Sequence, residues 1–296
     1  MTLDDVLKKS KEIERSLKGL VDGLSTDVEK VQRQLAEMLL ETFGDTLDVD
    51  SKKLLFNVTN IAATSTVIDT VFSQAYKDKI GPLLRQLGTG LEMSYELAFD
   101  YYRTMGYGVK DLKGAAKQIS VVRSLIGIEA NGKLVPDGYL SRLGQSQSVK
   151  ETLKKYVLNA VVNEASLAGF NKGFNVLMKG NTGVLASHWR QYAYDTFNQV
   201  HEIGNRSIAT SIGLGFFIYE GSIIDTSREF CRKRAGEVFH ITETATWKND
   251  PDLVDKKSKD SYQPLIERGR YNCRHTIRYI SDELAIRLRP DAEKFK

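Results

Sequence analysis

Apolar residues recur over the first forty positions at Ile13, Leu17, Leu20, Leu24, Val28, Val31, Leu35 and Met38, in steps of three and four. That spacing lays one stripe along a helix face, with Lys and Glu opposite, and predicts an amphipathic helix. Gly19 and Gly23 weaken it by about 1 kcal/mol each relative to alanine, so two helices with a soft joint are the alternative. The stripe has to pack on something, either the chain's own core or another subunit. Phe43 to Lys53 reads as a loop that ends in an N-cap at Ser51.

Helical patterning then runs from Leu54 to about Met105, with breaks expected at Gly81-Pro82 and at Gly88-Thr89-Gly90. Tyr95, Phe99, Tyr101 and Tyr102 fall at helical intervals inside it, as core or interface aromatics do. A further helical block covers Val109 to Ile128. Asn131-Gly132 and Pro136-Asp137-Gly138 then signal turns. Helices resume from Ser148 to Met178 and, past Lys179 to Gly183, from Val184 to Ile212.

The character changes after that. "GFFIYEGSIID" is aromatic, β-branched and bounded by glycine, which predicts a strand pair or a strand and turn. "EVFHIT" is a second candidate strand, Trp247 to Gln263 reads as loop, and Ser281 caps a last helix reaching Arg289. The expected fold is mainly α, a long helical N-terminal body with a small α+β C-terminal module. The boundaries are 1–183, with an internal break near 129–146, and 184–296.

The chain has 296 residues, 27% of them charged, and a net charge of +4. So small an excess disfavours a protein that coats nucleic acid along its whole surface. Acids at the very start and no long apolar run predict neither signal peptide nor membrane span. Two cysteines are too few for a disulfide-stapled secreted scaffold, which predicts a reducing compartment. The sequence holds no GxxxxGK[ST], GxGxxG, HExxH or GxSxG pattern, and no acid pair stands out as a general acid and base. No catalytic constellation is identified.

Both cysteines and two of the four histidines fall in the last quarter of the chain: Cys231, His240, Cys273 and His275. Thiolate and imidazole are the donors zinc favours, and Cys-x-His on a strand points both side chains to one face. Buried free thiols, a disulfide and a Cys–His nucleophilic pair are the other readings. Basic residues crowd the same stretches: Arg228, Arg232, Lys233, Arg234, Arg268, Arg270, Arg274 and Arg278. Arg232, Lys233, Arg234, Arg270 and Arg274 are the candidates for contact with nucleic acid or an acidic partner. Asp225, Glu229, Glu237 and Glu267 lie among them and offer internal pairing instead.

From about Trp189 to Ile280 the pieces "FFIYEGSIIDTSREFC", "AGEVF" and "RYNCRH" follow one another in an order that resembles the C-terminal domain of the Mu-F-type minor head proteins, also called phage head morphogenesis proteins. The family pattern falls on Asp225, Arg228, Cys231, Gly236, Cys273 and Arg274. Its usual closing Cys-Arg-Cys is Cys-Arg-His here, and "RGRYN" stands where it has Pro-x-His. The resemblance covers about a third of the chain. It implies a structural virion component, present in few copies, associated with portal or major capsid proteins and assisting head assembly, DNA packaging or delivery. Its implied location is the virion, and the host cytoplasm during assembly. Packaged DNA is a further partner, self-association would run through the N-terminal amphipathic helices, and no membrane is involved. The expected cofactor is none, or one structural zinc. The rival readings are a metal-dependent nuclease or toxin-like enzyme and a zinc-stabilised DNA-binding protein.

Overall fold

The computed structural model describes residues 2–108, 119–254, 260–271 and 273–295. The fold is mainly α, with a long helical N-terminal part and a small C-terminal region that contains a three-stranded sheet. Helix α1 (Leu3–Thr46) is continuous through Gly19 and Gly23, with no joint. Its stripe is buried within the chain itself at Ile13, Leu17, Leu24, Val28 and Leu35.

Ser51 is no helix cap. It forms, with Lys52, the turn of a short hairpin whose strands are β1 (Val49–Asp50) and β2 (Lys53–Leu54). Both turn residues have positive φ, 49° and 65°, the mirror-turn geometry that matches strand twist. The cap is Asn57, whose side chain accepts from the Asn60 amide at 2.7 Å and opens α2 (Val58–Ala75). No break follows at Gly81-Pro82. A π-turn over Tyr76–Ile80 leads directly into α3 (Gly81–Thr104), which runs on through Gly88 and Gly90. Proline lacks the amide that would close a normal turn, and a π-turn accommodates that locally.

Of the block expected over Val109 to Ile128, residues 109–118 lie outside the described residues, and α4 (Ile119–Ile126) is helical. The turn signals hold, with Gly132 and Asp137 at positive φ. Beyond them come α5 (Tyr139–Gln145), α6 (Gln147–Val162), α7 (Leu167–Leu177) and α8 (Val184–Ser211).

The chain groups into two compact units, neither of them one continuous stretch. One comprises Val21–Gly88 and Leu125–Ala193. In its core Phe43 meets Phe170 and Phe174 edge-on, with ring centroids 6.0 and 6.1 Å apart. Gln32, fully buried, uses its whole amide: Oε1 accepts from the Leu185 and Ala186 amides that open α8, and Nε2 donates to the Gly180 carbonyl at 2.8 Å. A helix start is thereby capped from a residue some 150 positions away in sequence.

The other unit comprises Met1–Leu20, Thr89–Ser124 and Tyr194–Lys296. Its sheet has β3 (Phe216–Glu220) in the centre, antiparallel to both β4 (Val238–His240) and β5 (Thr276–Ile280). Every residue of β5 and the first four of β3 are buried, which explains why β3 reads as an unbroken apolar run. Strand β5 carries Arg278 at its middle, 1% exposed. The guanidinium donates to Ser10 Oγ at 2.7 Å and to His201 at 3.1 Å, with the Glu220 carboxylate 3.9 Å away. Alongside, the buried Glu202 carboxylate accepts from the Ile277 amide, from Asn205 and from Arg268. Tyr101 donates to the Tyr279 carbonyl at 2.7 Å. These polar ties fix the sheet to helical side chains where apolar contact alone would leave its register free. Ser281 caps α11 (Asp282–Leu288), as its sequence signal implies.

Candidate metal centre

Strand β3 ends at Tyr219-Glu220, and two segments converge on that end. The first is the single turn α9 (Glu229–Arg232), which carries Cys231. It is secured by arginines acting on backbone: Arg228 donates to the Gly269 carbonyl at 3.0 Å and to that of Tyr271, while Arg232 gathers the carbonyls of Ile224, Asp225 and Ser227. Gly236 then turns the chain into β4 at φ 84°, its amide donating to the Tyr219 carbonyl at 2.8 Å. A left-handed residue here favours glycine.

The second segment, after the short helix α10 (Pro264–Glu267), is the turn leading to Cys273 and His275 ahead of β5. Arg268 and Arg270 both have positive φ, 52° and 62°, on either side of Gly269. Such conformations cost on the order of 1–3 kcal/mol for a residue with a side chain. The turn brings Gly269 so close that a Cβ there would lie 2.6 Å from Cys231 Sγ and 3.2 Å from Cys273 Sγ. Backbone is thus pressed against both sulfurs.

The two sulfurs are 3.9 Å apart. The Tyr219 hydroxyl lies 3.4 Å from Cys231 Sγ and 3.6 Å from Cys273 Sγ, and the Gly269 amide points at Cys273 Sγ from 3.4 Å. His275 stacks on the Tyr219 ring, 22° from parallel, with Nδ1 3.9 Å from Cys273 Sγ. Its Nε2 is buried with no hydrogen-bond partner. Among the described residues, Cys231, Cys273 and His275 form a buried group of donors close enough to share an ion, their ligand atoms all within 4.8 Å of one another. The Cys231 hydrogen bond holds the Cys273 thiol well below its usual range, helped by His275 and the Arg268 charge. Cys231, the donor of that bond and itself partly desolvated, is pushed the other way. The arrangement can bind a soft or borderline cation, or close to a disulfide.

His240 is not part of this group. It pairs with Phe216 at the opposite end of β3, three residues from Tyr219, a distance of about 10 Å along a strand. Its ring lies between Phe216 and Phe295, stacked on the latter with centroids 5.0 Å apart. Its amide donates to Glu243 at 2.7 Å, and the pair caps the 3-10 helix Ile241–Asn249. That helix contains Trp247, buried, in a stretch whose sequence reads as loop.

The basic candidates separate by burial. Arg234 is buried, paired with Asp250 at 2.6 Å and laid over the rings of Phe230 and Trp247. Arg270 is buried over Tyr262. Arg232 is half-buried on its three carbonyls, while Lys233, bonded to Asp252, and Arg274 are exposed. Of the family-pattern residues, Asp225 is exposed and contributes its carbonyl to Arg232. Tyr219 and Gly269 complete the sulfur environment without a sequence signal of their own, since the tyrosine reads as one more apolar strand residue.

Comparison with protein-family models, with curated proteins and with solved structures gave no match.

Proposed function

We propose that this chain is a structural component of a phage head, of the minor head protein type, acting at the portal or the capsid interior in assembly, packaging or DNA delivery. One observation carries the reading. The separated pieces on which the resemblance rests fold onto each other: Arg228 binds the backbone at Gly269 and Tyr271, Cys231 meets Cys273, and Gly236 locks the end of β3. A chance series of short motifs has no reason to assemble into one packed module. The burial of Arg234 and Arg270 weighs against a DNA reader built on the five basic residues, because two of them are used up inside the fold. No helix among the described residues is long and apolar enough to cross a membrane.

The test is quantitative peptide mass spectrometry on gradient-purified virions from the phage or prophage that encodes the chain. The reading expects its peptides in every preparation, at a few copies for each particle's worth of major capsid protein. Virions that are infectious and contain none of it would overturn the proposal.

A further inference from the structure

We propose that Cys231, Cys273 and His275 hold one structural zinc ion, with the Tyr219 hydroxyl at the fourth corner. Four donor separations come near those of a tetrahedral shell. With zinc–sulfur bonds of about 2.3 Å and zinc–nitrogen or zinc–oxygen bonds of about 2.0–2.1 Å, two sulfurs on one ion lie about 3.8 Å apart, and a sulfur and an oxygen or nitrogen about 3.5 Å. Here the sulfurs are 3.9 Å apart, each sulfur is 3.4 or 3.6 Å from the Tyr219 oxygen, and Cys273 Sγ is 3.9 Å from His275 Nδ1. Four of the six edges of an S2NO tetrahedron thus lie near their expected lengths, and the ligand atoms of Cys231, Cys273 and His275 all lie within 4.8 Å of one another.

Two further observations point to an ion rather than to inert thiols. The His275 imidazole is 3% exposed, its Nδ1 reaches only a sulfur at 3.9 Å and its Nε2 has no hydrogen-bond partner, so an ion on a ring nitrogen supplies a partner the buried ring otherwise lacks. The strained turn at Arg268 and Arg270 exists to bring Gly269 and Cys273 against Cys231, and strain of that sort persists where something over-determines it. A disulfide would need the sulfurs to close to about 2.05 Å and would leave the histidine and tyrosine without a role.

Zinc binding is balanced by loss of the thiol protons to solvent, since both cysteines bind as thiolates whose two charges cancel that of the ion. Every donor is buried, as in structural rather than catalytic zinc sites, which keep a position open to water. The ion would pin α9 to the turn before β5 and so close a 42-residue excursion of the chain.

The experiment uses the full chain, without a histidine tag, incubated with zinc chloride, passed through gel filtration without chelator and analysed for metal. One zinc per chain is expected. Cys231→Ser, Cys273→Ser and His275→Ala should each lose it, and His240→Ala should keep it. Tyr219→Phe should retain the fold and bind zinc more weakly. Because the cysteine variants can fail to fold, the wild-type chain is also loaded with cobalt chloride. The intense visible bands of tetrahedral cobalt and a thiolate charge-transfer band in the near ultraviolet are expected. No retained zinc and no such bands, or an intact mass two hydrogens short that marks a disulfide, would overturn the proposal.

Discussion

Arg278 donates a hydrogen bond to Nε2 of His201 at 3.1 Å, deep in the second unit. A guanidinium can only donate, so Nε2 is the acceptor and Nδ1 carries the proton, donating to the Ser94 carbonyl at 3.0 Å. The imidazole is neutral by construction. Burial and the adjacent Arg278 charge bring its pKa down to about 3. An unfolded histidine titrates near 6.5, so unfolding takes up a proton between those two values, and stability falls as pH drops through that window. At about pH 4.5 the effect is on the order of 2–3 kcal/mol, at 1.36 kcal/mol per unit. His201→Gln, which can both accept and donate, should flatten the acid limb of a stability–pH curve measured by denaturant unfolding. An unchanged limb would remove His201 as its cause.

Glu202 is the acceptor on which three buried donors depend: the Ile277 amide, Asn205 and Arg268, the last at 3.3 Å. Glu202→Ala would leave the Arg268 guanidinium buried without its counter-charge. Removing one partner of such a pair costs about 3–5 kcal/mol. Glu202→Gln keeps an acceptor for the Ile277 amide and should cost less. Urea unfolding monitored by tryptophan fluorescence separates the two, and equal losses would argue against the charge as the important element.

Gly236 offers a cleaner measurement, because a Cβ there would meet nothing within 4 Å. Any penalty for Gly236→Ala is then conformational, from φ 84°, and should be about 1–2 kcal/mol. Asparagine, which tolerates the left-handed region, should recover part of it. A neutral alanine variant would mean that the turn into β4 relaxes.

Arg234 tests what the basic cluster is for. Its side chain donates to the Phe230 carbonyl at 2.7 Å and to Asp250, between two aromatic rings. Arg234→Ala should lower stability by about 2–4 kcal/mol, through the lost pair and lost stacking. Binding of the folded variant to DNA at low salt should match that of the wild type. A selective loss of DNA affinity with stability intact would restore the nucleic-acid reading of this arginine.

Much of this was legible in the sequence wherever a single rule governed an element. The stripe from Ile13 to Leu35 is one face of α1, and Ser281 opens α11 with its side chain accepting from the Leu284 amide. Strand β3 was legible because burial of both its faces demands an unbroken apolar run. Strand β5 was not, for the opposite reason: Thr276 and Arg278 interrupt "TIRYI", and only Ser10, His201 and Glu220, far away in sequence, make that arginine admissible. Ser51 misled because a serine before a polar-apolar switch serves a hairpin turn as well as a helix cap, and the strands there have two residues each.

The candidate centre was legible in part. Cys273 and His275 do come together beside Cys231, but from the segment just ahead of β5 and not from a strand, so strand alternation is not what aligns them. His240 lies one strand-length away, which spacing in the sequence cannot reveal, because what decides it is the register of Phe216 with His240. Tyr219 escapes for a related reason: its ring does the work of a core residue while its hydroxyl faces the sulfurs.

The most direct measurement is X-ray absorption at the zinc edge of the zinc-loaded, untagged full chain. The account predicts two sulfur neighbours at about 2.3 Å and two nitrogen or oxygen neighbours at about 2.0–2.1 Å. A first shell of nitrogen and oxygen alone, as surface-bound zinc gives, would contradict it.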